Sequence, residues 1–481
     1  EILWLESPLP PLTPTNANTR TRTNVDLVQN TPPYNLNGAG VTVLVYDGGR
    51  ASHPDYNGRI IDQDSSSIID HASHVAGTVL GNGSGAANSV LNNRGMAPSA
   101  NLITYGYEWD GSNTLLYDNL GDIQQDMQNA LNHNADIATA SLGSNVNSNG
   151  FSCALEGDYP AASQLLDQIV RGSLGRTLIM TWANGNERQG AAPCGANFST
   201  TAPPATAKNP IQIGATNAGN DGSANFSGWG PTDDGRLKPI VSAPGVNVLS
   251  TIPDMFTNTS TRDCDGTGDD FCDPYDTMSG TSMATPAVAG ISALMIQQFH
   301  NSYSTASEPL PATIKAILMN TAASPTGGLG PDFQTGYGRV DARAAVDVIR
   351  ENRFVEGTLN NPGEVHRYHV NVPPGAPTLQ VSLAWDDEAG TLLAATELVN
   401  DLDLRLIEPD GATTQQPWVL DPANPNNAAT RGNDTLNNQE MVTVANPAAG
   451  WWTIEVRGTT LPTAPQTYGL AATHNPWSFN I

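Results

Sequence analysis

An α/β region with a mainly parallel sheet flanked by helices, followed by an antiparallel β-sandwich of the jelly-roll type, is the architecture this sequence predicts. Two patterns carry it. Through residue 350, short apolar runs alternate with stretches of helical character; from residue 351 onward, only strand-like runs and turns follow. A chain of 481 residues is too long for one core of ordinary size. It divides into residues 1–350 and 351–481.

Residues 1–37, rich in Pro, Thr and Asn, read as an extension that wraps the surface. The runs 41–46, 101–105, 137–141, 177–182, 211–215 and 240–243 are short and apolar, as strands buried on both faces are. Between them lie helix candidates at 71–80, 116–133, 161–173 and 285–300. In such a sheet functional groups gather at the carboxyl ends of the strands. Asp47 and the run Ser141-Leu142-Gly143 fall there. After Gly336-Tyr337-Gly338-Arg339-Val340-Asp341-Ala342 the character changes. The runs 368–372, 378–385, 401–407, 441–444, 452–456 and 468–472 alternate apolar and polar residues and are separated by Pro, Gly and Asn, which predicts the sandwich.

Three separated segments carry chemistry. Asp47 ends an apolar run, His71 and His74 lie in Asp70-His71-Ala72-Ser73-His74-Val75-Ala76-Gly77, and Ser282 lies in Gly280-Thr281-Ser282-Met283-Ala284-Thr285-Pro286. A serine hydroxyl is a weak nucleophile until an imidazole takes its proton, and the imidazole works best when a carboxylate fixes its tautomer and stabilises its cation. The order Asp, His, Ser excludes the α/β-hydrolase order and the chymotrypsin order. Ser282 is expected at a helix start, where backbone N–H groups favour a developing anion, with Pro286 in the first turn.

These segments resemble the three signatures of the subtilases, the subtilisin-like serine peptidases: a strand ending in Asp-x-Gly, a His-Gly-Thr-His-Val-Ala-Gly helix start, and Gly-Thr-Ser-Met-Ala-x-Pro. The resemblance implies a serine endopeptidase with Ser282 as nucleophile, His71 as base and Asp47 as its orienting acid. His74 is the rival histidine and is expected packed beneath His71; His53 is read as structural. Asn186, in Ala183-Asn184-Gly185-Asn186-Glu187, stands where the family has its oxyanion asparagine, with Asn184 as competitor. Ser141-Leu142-Gly143 and Ala183-Asn184-Gly185 resemble the two edges that line the primary specificity pocket and pair with substrate as strands. Neither edge carries an acidic side chain, so broad specificity with an apolar or aromatic lean is expected. Two departures stand out: Ala72-Ser73 replaces Gly-Thr, and Gly48 follows Asp47 where the family often has a hydroxyl that could bond its carboxylate. The appended sandwich is similar to those of kexins and of some bacterial alkaline proteases, and Leu398 to Leu404 and Asn437-Asn438-Gln439-Glu440 resemble the bacterial group.

A net charge of −26 argues against nucleic acid or an anionic membrane as partner. No run approaches the ~18 apolar residues of a membrane span, and the start Glu1-Ile2-Leu3-Trp4 does not read as a signal peptide. Charged residues make up only 14% while Asn, Ser, Thr and Gly abound, a composition that resembles secreted enzymes; the chain is expected to be a mature, processed monomer, and the resemblance implies protein or peptide substrates. Four cysteines suit two disulfides in an oxidising compartment. Of three possible connectivities, we favour Cys153 with Cys194 and Cys264 with Cys272. Structural calcium is expected at Asp263, Asp265, Asp269 and Asp273, and in the sandwich at Asp386, Asp387, Asp401 and Asp403, because hard cations collect carboxylate oxygens; no catalytic metal is expected. Met283 is an oxidation liability if exposed. Two rival readings are a kexin-like processing protease of narrow specificity and a non-catalytic binding or adhesive protein on the same scaffold.

Overall fold

The computed structural model describes residues 16–84, 93–107, 119–144, 146, 150–188, 197–253, 275–303, 307–325 and 327–477. A short helix α1 (Asn16–Arg22) precedes the first sheet. Strands β1 (Thr42–Asp47) and β2 (Ile60–Gln63), helix α2 (Asp70–Leu80), β3 (Asn101–Gly106), α3 (Leu120–Asn132), β4 (Ile137–Ala140), α4 (Ala161–Val170), β5 (Ile179–Ala183), β6 (Ile211–Thr216) and β7 (Val241–Pro244) follow in alternation. The seven strands form one parallel sheet in the order β2-β3-β1-β4-β5-β6-β7. Strands β1, β4, β5, β6 and β7 are buried along their whole length, as parallel strands covered on both faces must be. Alternate residues of one strand feed two different cores: Val43 and Val45 pack on one face, Leu44 and Tyr46 on the other. Helices α3 and α4 cover the second face.

The first face is covered by α2 and three later helices, which follow an antiparallel strand pair of β8 (Val248–Thr251) and β9 (Tyr275–Met278): α5 (Thr281–Ser302), α6 (Pro311–Thr321) and α7 (Ala342–Arg350). The predicted 285–300 helix begins four residues earlier, at Thr281, so Pro286 lies one turn deeper than the first turn expected of it. None of the helices among the described residues is long and apolar enough to cross a membrane.

From Phe354 the described residues form only strands and turns: β10 (Phe354–Leu359), β11 (Val365–Val372), β12 (Thr378–Ala384), β13 (Asp401–Ile407), the short β14 (Thr414–Gln415), β15 (Trp418–Val419) and β16 (Thr430–Arg431), then β17 (Gln439–Ala445), β18 (Gly450–Thr460), β19 (Gln466–Ala472) and β20 (Pro476–Trp477). Sheets β10-β19-β12-β17 and β14-β13-β18-β11-β20 are antiparallel. Inward residues of both, among them Val370, Leu383, Leu404, Trp452, Ile454 and Leu470, share one core. Trp452 is fully buried while Trp451 is half exposed, the period-2 alternation of a sheet with one wet face. The four-stranded sheet has a largely covered outer face. Its outer side, with Ala384, Met441 and Ala471, joins the core of the α/β region, and a Cβ on Gly469 would come within 2.4 Å of Thr313 Cα in α6.

A buried polar node joins the two regions. Lys208 Nζ donates to the Asp387 carboxylate and to the carbonyls of Glu388 and Glu397, with both ion-pair side chains fully buried. Asn209 and Asp387 exchange two further bonds of 2.8 Å, and Lys315 Nζ donates to the Lys208 carbonyl at 2.9 Å. Asp386 accepts from the Ala312 backbone N–H at 3.1 Å, and burial pushes its carboxyl up to about 6. Asp386 and Asp387, expected as calcium ligands, thus serve as counter-charge and acceptor between the regions.

Removing one partner of a buried pair strands the other charge, which typically costs about 3–5 kcal/mol. Asp387→Ala is therefore expected to lower the unfolding free energy in urea by that order. A cost below about 1 kcal/mol would mean that water reaches the pair and that it does not fasten the regions.

Candidate active site

Strand register brings the pieces together. Tyr46 pairs with Ala140 and Ala140 with Trp182, so Asp47, Ser141 and Ala183, each one step further on, stand side by side at the carboxyl end of the sheet. Adjacent strands lie ~4.8 Å apart there. Two helix N-termini reach this edge. His71 is the second residue of α2 and Ser282 the second residue of α5.

The Asp47 side chain is 1% exposed, and its carboxylate accepts the His71 Nδ1–H at 2.8 and 3.0 Å. That bond fixes the tautomer and leaves Nε2 as the basic nitrogen. The Asp47 charge holds His71 above the ordinary imidazole value, outweighing the opposing effect of burial. With no hydroxyl at position 48, the backbone N–H of Gly48 donates to Asp47 Oδ1 at 2.7 Å, so the carboxylate keeps a second partner. His74 lies fully buried, and its Nε2–H points at the carbonyls of Val248 (2.9 Å) and Asp276 (3.1 Å). Burial pushes it down to about 4, so it stays neutral and structural. His53 is buried as well, and its Nδ1 accepts from the Asp55 N–H.

Ser282 is 7% exposed, and its hydroxyl donates to the Ser141 carbonyl at 3.2 Å. Asn186 is exposed, and its amide oxygen accepts from the Thr281 N–H at 2.8 Å and the Thr281 Oγ–H at 2.9 Å. With the oxygen occupied, the Nδ2 donors remain for a ligand; a Cβ on Gly280 would lie 3.5 Å from Asn186 Nδ2 and 3.6 Å from Ser282 Cβ. Asn184 is fully buried and donates to the Gly228 carbonyl at 2.8 Å and Thr201 Oγ at 3.3 Å. Its side chain braces the edge from below.

Both expected substrate edges close on one floor residue. A Cβ on Gly143 would lie 3.7 Å from the Ala202 methyl and one on Gly185 3.1 Å from it; Gly185 also has φ +101°, a conformation that favours glycine. Trp182 Nε1 donates to the Leu142 carbonyl at 2.7 Å and stiffens the first edge. Beside this floor lies an acid that sequence reasoning missed. Gly157 N–H donates to the Thr201 carbonyl at 3.0 Å, and the preceding Glu156 is pushed up to about 7 by burial and by its contact with the Glu187 carboxyl. No spacing announces that pair, because Glu156 arrives on a separate loop.

Among the described residues no three His, Cys, Asp or Glu side chains form a group that could hold a metal ion. Burial, followed by the neighbouring charges of Asp403, Asp434 and Asp387, pushes Asp401 up to about 6, and burial with the charges of Asp434, Asp403 and Asp401 raises Glu440. The other expected ligands, Asp263, Asp265, Asp269 and Asp273, and the cysteines Cys194, Cys264 and Cys272 lie outside the described residues. Cys153 is disulfide-bonded. Met283 is 1% exposed, which removes the condition for its oxidation.

A sequence model of the subtilase family matches residues 38–338, and one of the bacterial pre-peptidase C-terminal domain matches residues 364–458. Serine protease AprX of Bacillus subtilis (strain 168) is 33% identical over 286 residues, covering 55% of this chain and 58% of AprX. M-protease of Shouchella clausii (strain KSM-K16) is 32% identical over 322 residues, covering 64% of this chain and 65% of that protein. Subtilisin Savinase of Lederbergia lenta is equally similar over the same length, which is 92% of its own. The chain thus spans less than two thirds of AprX and of M-protease.

Because the Asp47 charge favours the protonated imidazole, Asp47→Asn is expected to lower the His71 pKa, read by ¹⁵N NMR of the ring nitrogens. An unchanged titration midpoint would show that the carboxylate does not govern this histidine.

Proposed function

The chain belongs to the subtilase family, and on that premise we propose that it is a secreted serine endopeptidase that hydrolyses protein peptide bonds with broad specificity. The observation that carries this reading is the buried Asp47 carboxylate bonded to Nδ1 of His71, which leaves Nε2 free to take a proton at the end of the sheet where Ser282 stands. Ser282 Oγ attacks the substrate carbonyl carbon while its proton passes to His71 Nε2. The carbonyl oxygen becomes an oxyanion held by Asn186 Nδ2 and the Ser282 backbone N–H, near the positive end of α5. His71 then gives the proton to the leaving amine, and an acyl-enzyme remains. Water, deprotonated by the same imidazole, releases the acid product. An extended substrate pairs with the backbone of 141–143 and 183–185, which recognises any extended chain and supports breadth.

A narrower enzyme that selects basic side chains has one observation in its favour, the Glu156 and Glu187 carboxyls beside the pocket floor. Cut-site profiling on a denatured protein distinguishes the two: scattered sites after apolar residues support the first reading, sites confined to Lys and Arg the second.

Casein hydrolysis tests the mechanism. Ser282→Ala is expected to abolish it, and Asp47→Asn to lower kcat by about 10⁴ through the wrong tautomer. Asn186→Ala is expected to lower kcat by about 10²–10³ with KM little changed, the order lost when one such donor is removed from a subtilisin. Full activity in the Ser282→Ala protein would overturn the reading.

A further inference from the structure

Pro286 sits inside α5, and it has no backbone N–H. In an α-helix the N–H of residue 286 would serve the carbonyl of residue 282. Ser282 is therefore left with a buried carbonyl that the helix cannot satisfy, and such a group is costly unless something else donates to it.

Ser141 fills that place from 141 residues away, its Oγ–H donating to the Ser282 carbonyl at 2.9 Å. The return bond runs from Ser282 Oγ to the Ser141 carbonyl at 3.2 Å. Both residues are less than a tenth exposed, so neither bond competes with bulk water. Ser141 directly follows β4, which is held on both sides by β1 and β5. On the other side of Ser282, Thr281 is fixed by Asn186. The chain on either side of Ser282 is thus anchored, on one side to the end of β4 and on the other to the loop that follows β5.

We propose that Ser141 is a positioning residue for Ser282: its hydroxyl replaces the helical donor that Pro286 removes, and its carbonyl parks the Ser282 hydroxyl until substrate binds. The proposal rests on the reading of Ser282 as nucleophile. During attack the hydroxyl turns from the Ser141 carbonyl to His71 Nε2, while the Oγ–H of Ser141 keeps the Ser282 backbone still. The same Ser141 carbonyl lies in the edge proposed to receive substrate, so docking on that edge and release of the nucleophile share one residue.

Steady-state kinetics on a peptide p-nitroanilide read the role directly. Ser141→Ala is expected to lower kcat by about tenfold or more with KM within about twofold, and Ser141→Thr, which keeps a hydroxyl, to recover most of the loss. In a Pro286→Ala background the N–H of residue 286 can serve the Ser282 carbonyl, and Ser141→Ala is expected to cost less than about threefold. A rise in KM with kcat unchanged, or the same loss in both backgrounds, would overturn the proposal. The ¹³C shift of the Ser282 carbonyl in selectively labelled protein reads the bond without catalysis. It should move on Ser141→Ala, and an unmoved shift would sink the proposal. A wild type that hydrolyses nothing yet shows the shift change would refute the protease reading alone.

Discussion

Helix α5 has almost no wet side, and that constraint orders the α/β region around it. Of its 22 residues, 18 are buried, and Ala, Val, Ile, Leu and Met occur all round its circumference. Such a helix must be enclosed, here by the sheet on one side and by α2 and α7 on the other. Enclosure leaves its N-terminus one place to go, the carboxyl edge of the sheet. The position of Ser282 follows from packing. Ser282 stands in the first turn of an element whose tilt and depth are fixed by its buried apolar side chains rather than by a loop. Asp47 and Ser141 inherit the same rigidity from the strands they terminate, because β1 and β4 are central and buried along their length.

The second constraint is the burial of charge between the regions. Lys208 is buried away from bulk solvent and draws on an aspartate and two carbonyls of the sandwich. Lys315, pushed down to about 8 by burial, and Asp386 extend the same network. A four-stranded sheet with one face on the sandwich core and the other on α6 would expose a large apolar surface if the regions parted. The sandwich therefore acts as a structural wall of the α/β region, and the acidic residues that face inward complete the solvation of its buried lysines.

Local pattern made much of this legible. Apolar runs gave the central strands to within a residue or two, because a strand buried on both faces has a continuous signature. Asp47, His71 and Ser282 were legible as residue types in an order that few folds share. What the sequence concealed is non-local. The Ser141 hydroxyl and the Ser282 carbonyl meet only because β4 ends opposite α5, and nothing near either residue announces it. Proline is common in a first turn, which is where the pattern around Pro286 places it; the helix instead starts at Thr281, with Asn186 rather than a local cap receiving its first N–H. Asp386 and Asp387 have the local composition of cation ligands, but the Asp387 partner, Lys208, lies 179 positions away, and Asp386 meets the Ala312 N–H 74 positions away. Glu156 was invisible for the same reason.

The most direct test of the central claim, that Ser282 at the head of α5 is the activated nucleophile, is covalent labelling of the folded chain with a fluorophosphonate, followed by peptide mapping by mass spectrometry. The account predicts one adduct, on Ser282, formed rapidly in the wild type and lost when His71 is replaced by Ala. An adduct on another residue, equal labelling without His71, or no adduct on folded protein would contradict it.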